Sequence, residues 1–504
     1  KLTGGGTSTG NVSIAGTLEL SGTDYAFSGS AISGAGTLDL TGATTSFSGT
    51  SGGAQLNVAG GTARFDGAHV GTGKLNLTSG TVSGTGTADF SSLDWSGGSL
   101  NANVKSTGNT TLSGGTKSLA GNLTLGGNTT WDGSTIAGSG SAKIKNESGK
   151  TFSATADGAI TGTATFTNEG TFEKTSGATG GATDIQTKFD NTGSVSIAAG
   201  KLKLTGGGTS TGNVSVAGTL EVSGIDYAFN GGTLAGAGSL DLVSATTSFS
   251  GTSGSAQLNV AGGTARFDGA HAGTGKLNLT SGTVSGTGTA DFSSLDWSGG
   301  SLNANVKSTG NTTLSGGTKS LAGNLTLGGN TTWDGSTIAG SGSAKIKNES
   351  GKTFSATADG AITGTATFTN EGTFEKTSGA TGGATDIQTK FDNTGSVNIA
   401  AGKLKLTGGG TSTGNVSVAG TLEVSGIDYA FNGGTLNGAG SIDLTGATTT
   451  FNAVTSNTTV KVNGGTAKFD GTNVGGGKLA LTSGTVSGNG TADFSSLDWS
   501  GGSL

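Results

Sequence analysis

Histidine occurs only at His69 and His271, and arginine only at Arg64 and Arg266. With no cysteine in the chain, these are the scarce groups that could serve as a general base, a zinc ligand or an anion clamp. The stretch that holds them returns a third time, where Asn473 stands for the histidine and Lys468 for the arginine. Neither imidazole chemistry nor a bidentate guanidinium clamp survives such a change. They therefore read as exposed polar residues beside turns. Carboxylates stand singly, as at Asp39, Asp66, Asp89, Asp94 and Asp132, and Asp66-Gly67 reads as a turn. No calcium loop of alternating Asp with a closing Glu is present, and runs such as Gly4-Gly5-Gly6 lack the Lys-Ser/Thr ending of a phosphate loop. No catalytic residue, metal ligand or cofactor-binding residue is assigned. The expectation is a protein that is not an enzyme and carries no cofactor.

The elements that hold these residues repeat every 202 positions. Lys1–Gly6 returns at Lys203–Gly208 and Lys405–Gly410, and Gly71–Val195 recurs unchanged as Gly273–Val397. The chain is two full copies, 1–202 and 203–404, and a partial third, 405–504. Such regularity marks a module stacked on copies of itself, and 1–504 reads as one continuous solenoid.

Inside each copy the pattern is short and alternating. Thr17-Leu18-Glu19-Leu20, Thr37-Leu38-Asp39-Leu40 and Lys74-Leu75-Asn76-Leu77 put apolar residues on one side and polar ones on the other, with Gly, Asn or Ser following. The differences between copies act as a mutation series. Ile14 becomes Val216 and Val418, Leu20 becomes Val222 and Val424, and Gln55-Leu56-Asn57-Val58 becomes Thr459-Val460-Lys461-Val462. Apolar positions stay apolar while the intervening ones change freely, as a packed interior and a solvated exterior require.

Longer spacings select the fold. Asn146, Asn168 and Asn191 share an apolar-x-Asn pattern and fall 22 and 23 positions apart. An aromatic-x-Gly motif opens at Phe27, Trp95 and Trp131. Coils of about 18–23 residues with three short strands each suit a parallel β-helix, and roughly 25 of them fit the chain. A row of sandwich domains fits those spacings less well. Stacking would place Asn146, Asn168 and Asn191 in an amide ladder, with Asn348, Asn370 and Asn393 forming the second. Because Trp and Phe exchange within one motif, Phe27, Trp95, Trp131, Trp297, Trp333 and Trp499 read as core aromatics. Exposed rings stacking on sugar are the alternative.

Composition narrows the rest. The chain has 103 glycines, no proline and no methionine, so Lys1 is not a translation start. Proline-free alternation favours β structure over a disordered Gly-rich linker. A net charge of −6 with no basic run argues against a nucleic-acid partner. No apolar run in this window is long enough to be a transmembrane segment. Both ends cut motifs found intact elsewhere, so the expected partner is the protein itself, through continued chain, end-to-end stacking or lateral self-association.

The stretch Phe166–Phe172, the stretch Gly200–Gly208 and the Phe/Trp-x-Gly-x-x-Ile-x-Gly-x-Gly motif resemble repeats of large bacterial surface proteins. These are the right-handed parallel β-helix adhesins and autotransporter passenger regions, including the filamentous-haemagglutinin type. The resemblance implies an exported stalk, adhesin or matrix fibre, extracellular or at the cell surface, with glycans or a cell surface as further partners. A polysaccharide-degrading β-helix enzyme, using acids grouped across coils, is the reading from another class.

Overall fold

Alternation at a period of two forces each short segment to bury one side and wet the other, and the glycines between segments let the chain turn. The computed structural model describes residues 1–504, entirely as short strands and turns with no helix. The strands stack in parallel as a β-solenoid of about 26 coils, successive coils about 19 residues apart. The residues divide into two compact units, Lys1–Ala256 and Gln257–Leu504.

In the first unit each coil contributes one strand to each of three parallel columns, two of which are joined into one sheet by the long strand Thr17–Ser28. Lys143–Asn146, Thr151–Ala154 and Gly158–Gly162 make one coil; Thr165–Asn168, Thr171–Lys174 and Thr183–Ile185 lie on them. Register is residue for residue, so like stacks on like. Ile144, Phe166 and Phe189 form one column, and Phe152, Phe172 and Val195 another. Ile136, Ile160 and Ile185 form a third. All nine are buried. Phe152 and Phe172 lie 5.5 Å apart and nearly parallel, and Phe27, Phe47 and Phe65 form a similar pile at 5.6 and 4.8 Å. Each buried ring contributes about 1.5–3 kcal/mol through area alone. The second unit is built alike, with Phe431, Phe451 and Phe469 piled at 5.5 and 5.0 Å.

Stacked turns bring backbone onto backbone. A Cβ on Gly193 would run into the Gly170 carbonyl oxygen of the coil beneath, which is why the turn column carries glycine. At a second kind of turn the need is conformational. Gly49 and Gly251 hold φ of 62° and 64°, and the third copy has Ala453 there at φ 54°. A left-handed Ala costs about 1–2 kcal/mol, of which the greater freedom of unfolded Gly offsets part. Ala453→Gly is therefore expected to stabilise its coil by about 0.5–1 kcal/mol, read as slower amide exchange over Thr448–Ser456; faster exchange would refute it.

The repeat does not close on a whole number of coils. In the first unit Thr37–Leu40 pairs with Thr17–Leu20 and Gln55–Val58, while Thr44–Ser48 lies in the next column, on Tyr25–Ser28. The counterpart of Thr37–Leu40 one repeat later, Ser239–Leu242, lies in the column of Thr44–Ser48, 31 strands along the chain. Thirty-one strands are ten coils of three and one strand over. The second unit shows the same offset: Gln257–Val260 pairs with Lys276–Leu279, and its counterpart Thr459–Val462 lies in the neighbouring sheet with Ser441–Leu444.

Candidate functional site

Inside the first unit the in-register column Asn146, Asn168 and Asn191 is fully buried. Asn146 Nδ2 donates to Asn168 Oδ1 at 2.8 Å, and Asn168 Nδ2 to Asn191 Oδ1 at 2.7 Å. Asn191 Nδ2 passes the chain to Ser210 Oγ at 2.9 Å. Side contacts to Lys150, Thr171, Gly170 and Ser194 carbonyls tie the ladder to the turns. At its first rung Asn146 Oδ1 is buried with no donor, because the coil before it offers Leu125. In the second unit Asn348, Asn370 and Asn393 reproduce the 2.8 and 2.7 Å contacts.

Phe27, Trp95, Trp131, Trp297 and Trp333 are buried, as interior packing demands. Trp131 Nε1 donates to Ser134 O at 2.7 Å, and Trp333 Nε1 to Ser336 O at 2.7 Å. Trp499, in the final strand Ser496–Trp499, is 58% exposed. Trp297 is covered by Leu314 of the following coil, whereas Trp499 lies in the last coil of this chain.

His69 departs from its reading as an exposed turn residue, being only 8% exposed. It and Thr50 Oγ1 share a 2.8 Å hydrogen bond through Nδ1, and it sits 5.2 Å from the Phe65 ring. Hydropathy misleads here: register pairs His69 with buried Ala88 and turns Val70 outward beside Asp89. Asn473 fills the same inward position, accepting from Val454 N at 3.1 Å and donating to Asp470 O at 3.1 Å. The two substitutions travel together, Thr50–His69 becoming Val454–Asn473.

Burial pulls the His69 pKa down from 6.5 to about 4. The folded state therefore refuses a proton that the unfolded chain accepts. Stability is unaffected above pH 6.5 and falls as pH drops toward 4, by roughly 3 kcal/mol for this group at ~1.4 kcal/mol per pH unit. Thr50→Val with His69→Asn is expected to remove that share of the acid loss. Amide exchange around His69–Gly71 at pH 7 and pH 4.5 checks it, and equal loss in both proteins would refute it.

Four lysines are buried without a trace of exposure: Lys117, Lys174, Lys319 and Lys376. Lys174 Nζ donates to Ala156 O at 2.8 Å and lies 2.9 Å from Asp157 Oδ1. Burial alone would raise the Asp157 pKa. Its contacts with Lys174 and with Ala178 N at 2.7 Å prevail and hold it below the usual range. Lys117 Nζ donates to Gly115 O at 3.0 Å and to Ser134 Oγ, and burial draws its pKa down to about 8 against the pull of Asp132. Parity was the signal for both, since Lys117 alternates with Leu119 and Lys174 with Phe172.

The outer surface is dressed with ion pairs that run between coils. Lys145–Glu169 is 2.9 Å and Lys201–Glu221 is 2.8 Å. Asp89 stands apart. Its in-register neighbour is Lys105, yet Lys105 Nζ bonds Glu147 Oε1, 42 residues on, at 2.9 Å. Around Asp89 lies an open cleft of about 290 Å³, lined by Thr87, Asn103, Lys105, Asn122 and Thr124. In the second unit an equivalent cleft of about 330 Å³ surrounds Asp291, and Lys307 again bonds Glu349 at 2.9 Å. Arg64 is engaged elsewhere, 2.8 Å from Asp66, on the exposed surface.

No helix is long and apolar enough to cross a membrane. No protein-family model, curated protein or solved structure matches the chain.

Proposed function

We propose that the chain is a structural, non-enzymatic protein: a stretch of an extracellular filament, matrix fibre or cell-surface stalk of the bacterial kind. It associates with copies of itself, end to end or side by side. The observation that carries this reading is that side chains as well as backbone are laddered along the stacking direction. Amide, aromatic and aliphatic columns each continue from coil to coil. Parallel stacks of this kind gain stability with every added coil. Substitutions between copies support it, since they preserve inward packing and relax everything else.

Electron microscopy of the native material tests the proposal. Long rods of uniform width with an axial repeat of ~4.8 Å are expected, whereas short isolated rods or separate beads would overturn it. A second reading, an adhesin that binds glycan or a partner surface, is favoured by one observation, the uncommitted Asp89 carboxylate in its cleft.

A further inference from the structure

We propose that the Asp89 cleft, and its equivalent at Asp291, bind a short neutral saccharide segment. The inference deepens the adhesin reading by naming a site and a ligand class, and it does not depend on filament formation.

Most acids along the coils already have a partner. Asp39 accepts from Asn57 at 2.7 Å, Asp24 from Thr44 N at 3.0 Å, and Asp190 from Lys188 at 2.7 Å. Asp89 has none, although Lys105 lies directly beside it in register. The lysine reaches over the next coil to Glu147 instead. That diversion leaves a carboxylate with two free oxygens at the rim of a cleft whose other polar groups are also open. Asn103 Oδ1 is held by Asn122 N at 3.1 Å, but its amide nitrogen is free, as are the Asn122 side chain and the Thr124 hydroxyl.

These groups offer acceptors at Asp89, donors at Asn103, and both at Asn122 and Thr124. Adjacent ring hydroxyls present the same mixture, each able to donate to a carboxylate and accept from an amide. Charge argues against an anionic ligand, because the carboxylate is bare and the one ammonium nearby, Lys105, is already paired with Glu147; a cation is the competitor that the EDTA arm below separates. The cleft volume, near the lower end of small-molecule sites, suits one or two sugar rings in a shallow seat. The second unit repeats every one of these residues as Thr289, Asp291, Asn305, Lys307, Asn324 and Thr326.

The test uses the full chain on an array of neutral, sialylated and sulfated oligosaccharides, followed by calorimetric titration of the strongest neutral binder. Saturable binding with two sites per chain is expected, unchanged by EDTA. Asp89→Asn combined with Asp291→Asn should weaken it at least tenfold while leaving the thermal unfolding curve in place. No saturable binding to a neutral sugar, binding confined to anionic glycans, or binding undiminished in the double variant would overturn the proposal. Binding abolished by EDTA would also overturn it, identifying a cation site. Rod formation by the same double variant, seen by electron microscopy, keeps this outcome separate from the structural reading.

Discussion

Lys174→Ala is expected to destabilise its coils by about 3–5 kcal/mol, the usual cost of breaking a buried ion pair from one side. The substitution leaves Asp157 facing an empty interior, only 20% exposed, and strips the Ala156 carbonyl of its ammonium donor. Thr183 Oγ1 still reaches that carbonyl at 3.1 Å, so the remaining loss falls on the carboxylate. Adding Asp157→Asn should recover part of the deficit, because an amide needs no counter-charge. Amide exchange over Thr171–Lys174 and Thr183–Ile185, compared in a double-mutant cycle, measures the coupling. Additive effects of the two substitutions would mean that lysine and aspartate do not act as a pair. Lys376 and Asp359, 3.0 Å apart, permit the same cycle in the second unit.

Asn168→Leu should cost about 3 kcal/mol through unsatisfied groups. Asn191 Oδ1 loses its donor inside the core, and the Gly170 and Ser194 carbonyls lose a partner each. A buried acceptor left bare costs about 1–3 kcal/mol. Asn168→Asp should be worse, since it aims a carboxylate at Asn191 Oδ1 and the Ser194 carbonyl. Leu125→Asn is the converse test. Placing an amide in a core position ordinarily destabilises, but here it meets the one rung of the ladder without a donor, Asn146 Oδ1. Its cost is expected to stay below that of Leu125→Ala, which offers nothing to that oxygen. Thermal unfolding and local amide exchange rank the four variants. A Leu125→Asn protein as unstable as Leu125→Ala would remove the ladder from the account of stability.

The sequence carries strand parity openly because burial alternates along most of the short strands of the coil. That is why Leu38 and Leu40, or Phe166 and Asn168, can be placed inward from their neighbours. The asparagine spacing is legible for the same reason: in-register stacking converts a distance along the chain into adjacency. Hydropathy is a poorer guide where a polar residue occupies an inward slot. Lys117 and Lys174 obey parity, but their charge invites an outward reading, and His69 is set by its pairing with Ala88 rather than by its polarity. The Asp89 cleft lay beyond reach altogether. Its opening depends on Lys105 choosing Glu147 over its immediate neighbour, a competition between side chains two coils apart.

The extra strand in each repeat has a consequence for how such a chain can grow. Thr37–Leu40 and Ser239–Leu242 carry nearly the same residues yet lie in different columns of the same unit. The three sides of the coil are therefore interchangeable sockets, and a duplicated segment need not match a whole number of turns to seat correctly. Copying the segment also acts as an indexing step. Within a unit, a strand written once in the repeat is handed to the next side of the coil in the following copy.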